Sequence, residues 1–151
     1  VGLRTDAASS TGSLHAKVAD LKATLTYMPR KIYSTATVQV QQTDTRSGTT
    51  GNTYKMDRSI KVLNTGQLNV KCDFYSGGSN PHMKIYINGV AVSSEQTGNP
   101  YTWYTYSSPV LGVRAGDTIE IWTKGYGGVA TQTRNFQIRY DLTTANDLTV
   151  L

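Results

Sequence analysis

The stretch His82–Val92, H-M-K-I-Y-I-N-G-V-A-V, restricts this chain more than any other. Met83, Ile85 and Ile87 alternate with Lys84 and Tyr86, the period-two pattern of a strand with one buried face. Asn88-Gly89 follows, the pair best able to hold the positive φ angles of a two-residue type I′ turn. Val90 and Val92 lead the chain back. The stretch is a β-hairpin, and the fold must be antiparallel β around it.

Further strands fall on either side. Ile32–Gln41 alternates through Ala36, Val38 and Val40, with a Thr- and Gln-rich opposite face. Thr43–Thr53 reads as an exposed loop, Tyr54–Leu63 as a strand turning at Asn64-Thr65-Gly66, and Gln67–Tyr75 as a strand ending at Ser76–Pro81. After a polar loop over Glu95–Pro100 come the aromatic run Tyr101–Tyr106, then Val110–Val113 and a turn at Ala115-Gly116-Asp117. Thr118–Lys124 places Ile119 and Ile121 on one face, with Glu120 and Trp122 on the other. Thr133–Leu142 places Phe136, Ile138, Tyr140 and Leu142 on one side, and Thr143–Leu151 is a tail with an edge strand through Leu148 and Val150. About eight strands at this spacing, with no helix among them, predict an all-β antiparallel sandwich. Its long excursions near Thr43, Ser76 and Gly125 suit a jelly-roll-like Greek key over residues 31–151.

Residues 1–30 read differently. Val1–Gly12 is small and polar, a linker. Thr11 or Ser13 can cap a helix in which Leu14, Val18, Leu21, Leu25 and Met28 recur every three or four residues, until Pro29 ends it. A helix of about four turns is marginal alone. Its apolar stripe either associates with copies of itself, through Leu14, Val18, Leu21 and Leu25, or packs on a sheet of its own domain.

The 151 residues suffice for one domain with a real core. Ten tyrosines and 14 glycines suit short strands joined by polar turns rather than a disordered chain. The formal charge of +5 is spread over Lys55, Arg58, Lys61, Lys71, Lys84, Arg114, Lys124, Arg134 and Arg139 without forming a run. That spread reads as solvated strand faces and gives nucleic acid no basic track. No apolar run approaches the length of a membrane span, and no signal peptide is evident.

Catalytic chemistry has little to stand on. Cys72, the single cysteine, shares a strand face with Leu68, Val70 and Phe74 and reads as a small buried hydrophobe, so neither an intrachain disulfide nor a thiolate metal cage is possible. His15 and His82 stand in no metal-ligand spacing, and neither has an evident acid–base partner. Asp117 reads as a turn residue bonding its own backbone. Glu120 and Asp73 could pair across strands, but nothing sets them apart from ordinary salt links. No nucleophile elbow, phosphate loop or calcium loop occurs, and no cofactor or metal is expected.

The distinctive chemistry is aromatic. Tyr101 and Trp103 point one way from their segment and Tyr104 and Tyr106 the other, so one set lies outside the core. Trp122 stands on a polar strand face, and Tyr126 sits in the loop Gly125–Gly128. Tyr101, Trp103, Tyr104, Tyr106, Trp122 and Tyr126 are therefore the candidate ligand-binding residues. Their rings offer rigid apolar area on which a sugar can stack beside Asn, Asp and Gln. The alternative is that they pack beneath loops or at a subunit interface.

The segment Asp6–Leu21, D-A-A-S-S-T-G-S-L-H-A-K-V-A-D-L, resembles the linker-and-helix of many tailed-bacteriophage structural proteins. K-I-Y-I-N-G-V-A-V and V-R-A-G-D-T-I-E-I-W are similar in style to jelly-roll modules of siphophage adsorption and receptor-binding proteins. The resemblance implies a non-enzymatic virion component of the tail or baseplate, assembled in the host cytoplasm. Its implied partners are other tail proteins and host cell-wall carbohydrate, and it is often a homotrimer, here through the N-terminal helix. No binding residue transfers position by position. The alternative reading is a carbohydrate-binding module of a secreted glycan-active protein, which has no use for the helical stripe.

Overall fold

The structure, a computed structural model, describes residues 32–142. Eleven strands make up this part: β1 (Ile32–Gln42), β2 (Arg46–Ser47), β3 (Lys55–Lys61), β4 (Gly66–Ser76), β5 (His82–Ile87), β6 (Val90–Ala91), β7 (Gln96–Thr97), β8 (Tyr104–Ser107), β9 (Leu111–Val113), β10 (Thr118–Lys124) and β11 (Thr131–Leu142). There is no helix among the described residues. The expected helix over Leu14–Met28, its stripe, the linker before it and the tail after Leu142 lie outside them.

The strands form two sheets. In the first, β11 runs between β4 on one side and β1 and β2 on the other, while β8 and β9 line the far edge of β4. In the second, β10 lies between β3 and β5, and β6 and β7 pair with β5. All pairings are antiparallel except one bridge between Ile32 and Gly66. The core lies between the sheets: Leu68, Val70, Cys72, Phe74, Phe136 and Ile138 from one, Met83, Ile85, Ile119 and Ile121 from the other, closed by Val62 and Val113. Burying each such side chain contributes on the order of 1.5–3 kcal/mol.

The hairpin forms as its sequence dictates. Asn88 and Gly89 take φ of 51° and 76°, the left-handed pair of a type I′ turn, and Ile87 faces Val90. The Asn88 amide then ties this turn to the next one, donating to Asp117 Oδ1 at 2.8 Å and accepting from the Thr118 amide at 2.9 Å. Asp117 also accepts from the Arg114 amide at 2.7 Å, the expected turn contact.

Two irregularities depart from simple alternation. In β11 the register shifts between Arg134 and Gln137, where Asn135 has φ of 50°. Before the bulge Thr131 and Thr133 face inward; after it Phe136 and Ile138 do. In β3 the register shifts between Arg58 and Met56, so that Asp57 and Arg58 both turn away from solvent. The solvated reading of the basic residues therefore fails for Arg58, which is 1% exposed. Val38 and Val40, expected on a buried face, remain exposed on β1.

Candidate functional site

The six aromatic candidates separate into four environments. Tyr104 and Tyr106 pack against the core. The Tyr104 ring lies 5.8 Å from Phe74 and covers Gly98 so closely that a Cβ there would meet it at 2.2 Å. Its hydroxyl accepts from the Asn99 amide at 2.9 Å. Both rings are half-buried, with part of their surface spent on the core.

Trp103 stacks on Tyr75 with centroids 5.0 Å apart, and the Arg134 guanidinium lies 3.9 Å from its centroid. Tyr75 alternates with the buried Phe74 on β4, so this stack covers the outer side of the first sheet. Trp122 stacks on Tyr86 at 4.6 Å across β10 and β5, and its indole N–H donates to Glu120 Oε2 at 2.6 Å. Tyr54 stands near them on the second sheet, with Lys84 and Lys124 ammonium groups 4.9 and 5.1 Å from its centroid. In both stacks the rings are half-buried and face each other or a guanidinium. A ring whose face is already occupied offers less to a sugar.

Tyr101 and Tyr126 differ. They are 71% and 60% exposed, with no ring partner among the described residues. Tyr126 lines a cleft of about 470 Å³ together with Gly78, Ser79, Asn80, His82 and Pro100. Tyr101 follows Pro100 directly; its positive φ of 63° is held by its amide, which donates to Ser76 O at 2.7 Å. The Tyr126 loop is closed by reciprocal amide–carbonyl bonds with Val129, each 3.1 Å. Gly125 makes that loop possible: a Cβ there would meet backbone atoms of Val129, Thr49 and Thr50 at 2.5–2.7 Å.

The polar side of the cleft is anchored through β5. The His82 amide donates to Thr131 Oγ1 at 3.0 Å, and Thr131 in turn donates to Lys124 O at 2.9 Å. His82 Nδ1 lies 2.8 Å from Glu95 Oε1, while Glu95 Oε2 accepts from Tyr54 Oη at 2.7 Å and Lys124 Nζ at 3.2 Å. Burial alone would raise the Glu95 pKa, but the hydrogen bonds from Tyr54, Lys124 and His82 outweigh it and hold the group at about 2. The Tyr54 hydroxyl is pushed far above the usual phenol range, by burial first and by its bond to Glu95 second.

No side chain that lines the cleft, among the described residues, is a carboxylate. Among the described residues no cluster of His, Cys, Asp and Glu could hold a metal. The Asp73 carboxylate is occupied by Thr105 and Asn135, each at 2.7 Å, and Glu120 by Trp122. The cleft therefore offers apolar rings, an Asn amide and an imidazole, a set suited to holding a hydroxylated ligand.

Sequence reading did not identify Tyr75 and Tyr86 as ring partners, Tyr54 as the ring beneath Lys84 and Lys124, or Asn80, His82 and Pro100 as cleft lining. Tyr86 shares its face with Lys84, and a tyrosine on a wet strand face invites a cross-strand ring. His82 and Asn80 carried no such signal, because loop packing alone brings them together with Tyr126.

No family model matches this sequence, and no curated protein matches it. Solved structures do. A family 35 carbohydrate-binding module from Clostridium thermocellum aligns with TM-score 0.42 and 13% identity, over 66% of this chain and 89% of that one. The CBM22-1 xylan-binding domain of a Paenibacillus barcinonensis protein aligns with TM-score 0.46 and 11% identity, over 73% and 99%. A family 35 module from an environmental isolate gives 0.42 and 13%, over 75% and 92%.

Proposed function

We propose that this domain is a non-enzymatic carbohydrate-binding module whose ligand enters the cleft between Asn80, His82, Pro100 and Tyr126. The observation that carries the reading is the exposed, unstacked Tyr126 ring in a cleft whose described lining holds Ser79, Asn80 and His82 as its polar side chains, with the exposed Tyr101 next to its Pro100. A pyranose stacks its C–H face on such a ring while Asn and His meet its hydroxyls. Glycoside hydrolysis uses a pair of carboxyl groups about the scissile bond, and the cleft lining contains none among the described residues.

The wiring supports presentation of that cleft. The first and last strands are neighbours, β3 lies beside β10, and β4 beside β11, which we read as a jelly roll. Ile32 and Leu142 pair at the Gly66 end of β4, whereas the cleft opens at its Ser76 end. Eleven residues of strand separate the two, roughly 35 Å at the usual rise. The tail-protein reading rests on Asp6–Leu21, outside the described residues, and on the style of the strands at Lys84–Val92 and Val113–Trp122, and no comparison supports it. If it holds, the same cleft is the part that meets host-surface glycan.

A glycan array probed with the wild-type chain, Tyr126→Ala and Trp122→Ala tests the proposal. Binding that Tyr126→Ala removes and Trp122→Ala keeps supports it; an array blank for the wild type rejects it.

A further inference from the structure

We infer that Glu95 holds the neutral His82 ring as its Nδ1–H tautomer, so that His82 presents a bare Nε2 to the cleft as the acceptor for a ligand hydroxyl. The ligand half of this inference rests on the carbohydrate reading; the tautomer half does not.

A carboxylate only accepts hydrogen bonds. Glu95 stays a carboxylate because two other donors, Tyr54 Oη and Lys124 Nζ, converge on its Oε2. The 2.8 Å contact between its Oε1 and His82 Nδ1 therefore needs the proton on Nδ1. In the neutral ring the other nitrogen is then an acceptor, since the hydrogen bond made by one ring nitrogen sets the state of the other. Nε2 has no hydrogen-bond partner among the described residues, and His82 is one of the residues that line the cleft. The bond from the His82 amide to Thr131 Oγ1 fixes the backbone beneath it.

The consequence is a division of polarity within one small site. His82 accepts; the Asn80 amide, which also lines the cleft, can both donate and accept. A sugar hydroxyl that gives its proton to Nε2 can be matched by a neighbouring hydroxyl bonded to Asn80. A ligand offering only acceptors at the first position leaves two lone-pair atoms facing each other, an unfavourable contact. Glu95 is thus a positioning residue. It is not among the residues lining the cleft, yet through His82 it decides which hydroxyl orientation the cleft takes.

The test is long-range 1H–15N correlation on the full chain labelled with 15N-histidine, at a pH where the ring is neutral. His15 is the only other histidine, so His82→Gln assigns the spectra. The expected result is a protonated Nδ1 and an unprotonated Nε2 for His82 in the wild type. Tyr54→Phe should keep that pattern, because Lys124 still holds the carboxylate. Glu95→Gln should invert it, since the Gln amide can donate to Nδ1. A wild-type ring protonated at Nε2, or a pattern unchanged in Glu95→Gln, overturns the inference. Addition of methyl β-D-glucopyranoside separates the two halves. Movement of both Tyr126 ring and His82 Nε2 signals supports the acceptor role. Movement of Tyr126 with Nε2 unmoved overturns that role and leaves the carbohydrate reading intact. Neither signal moving removes the carbohydrate reading and the ligand half with it.

Discussion

Arg58 on β3 donates through Nε to Thr133 Oγ1 on β11 at 2.7 Å, and through Nη2 to Thr133 O at 2.8 Å, joining the two sheets through the interior. Arg58 points inward on the same face as Ile60 and Val62, whereas Thr133 does so because the bulge at Asn135 separates its parity from that of Phe136 and Ile138. Thr133 also donates to Asp57, and Arg58 Nη1 meets Asp44 at 2.9 Å, so the guanidinium is well supplied with acceptors. Removing one member of a buried ionic network leaves the others desolvated and unpaired, which costs about 3–5 kcal/mol. Arg58→Ala should lower the unfolding free energy by that amount, read from a lower urea midpoint at unchanged slope. Arg58→Lys should recover only part of it, because an ammonium lacks the planar fork.

Binding and stability should separate among the aromatic residues. Tyr126→Ala and Tyr101→Ala remove exposed rings and should leave the melting temperature nearly unchanged. Tyr126→Ala should weaken glycan binding about tenfold or more, the loss of roughly 1.4 kcal/mol. Trp122→Ala breaks the stack on Tyr86 and should lower stability by about 1–3 kcal/mol while binding persists. Paired calorimetric titrations and thermal melts measure both quantities.

Acid should weaken the fold through two carboxylates. Hydrogen bonds from Arg46 and then Arg58 hold Asp44 at about 2. Glu95 is held at about 2 against the opposing effect of burial, by Tyr54, Lys124 and His82. A carboxylate whose folded pKa is depressed stabilises the fold above its unfolded value and loses that contribution as pH falls through the folded one. Stability should therefore be level above about pH 4.5 and decline toward about pH 2. Glu95→Gln should flatten part of that decline in urea melts taken across the window.

Gly125→Ala should destabilise the chain by about 1–3 kcal/mol, since a methyl group there meets fixed backbone of Val129, Thr49 and Thr50. Gly116→Ala offers the contrast. Its φ of +96° strains an L residue, but the space around it is open, so the cost should be nearer about 1 kcal/mol. Chemical denaturation of the two variants side by side checks the order.

Cys72 is fully buried, and burial pushes its thiol up to about 12. The native chain should fail to react with a disulfide probe at neutral pH, and the urea-unfolded chain should react with one equivalent.

Much of the architecture is legible along the chain. Alternation at Met83-Ile85-Ile87 and Ile119-Ile121 needs only the pleat to place those residues inward, and Asn88-Gly89 needs only local φ preference to make its turn. The inward side of Cys72 follows in the same way from Leu68, Val70 and Phe74. These are properties of a few consecutive residues, so the amino-acid order alone determined them. Thr133 could not be read in this manner, because a bulge is set by the partner strand and reverses parity without marking the sequence. Arg58 shares the parity of Ile60 and Val62, but only the acceptors brought to it by Thr133 and Asp44 allow its charge to be buried there. The cleft lay further out of reach. Asn80, Pro100 and Tyr126 come from three separate loops and His82 from the start of β5, and whether a tyrosine stacks on a neighbour or stays free depends on which strand lies beside it. Strand pairing across the two sheets decided that, by leaving Tyr101 and Tyr126 open while Trp103 and Trp122 found ring partners in Tyr75 and Tyr86.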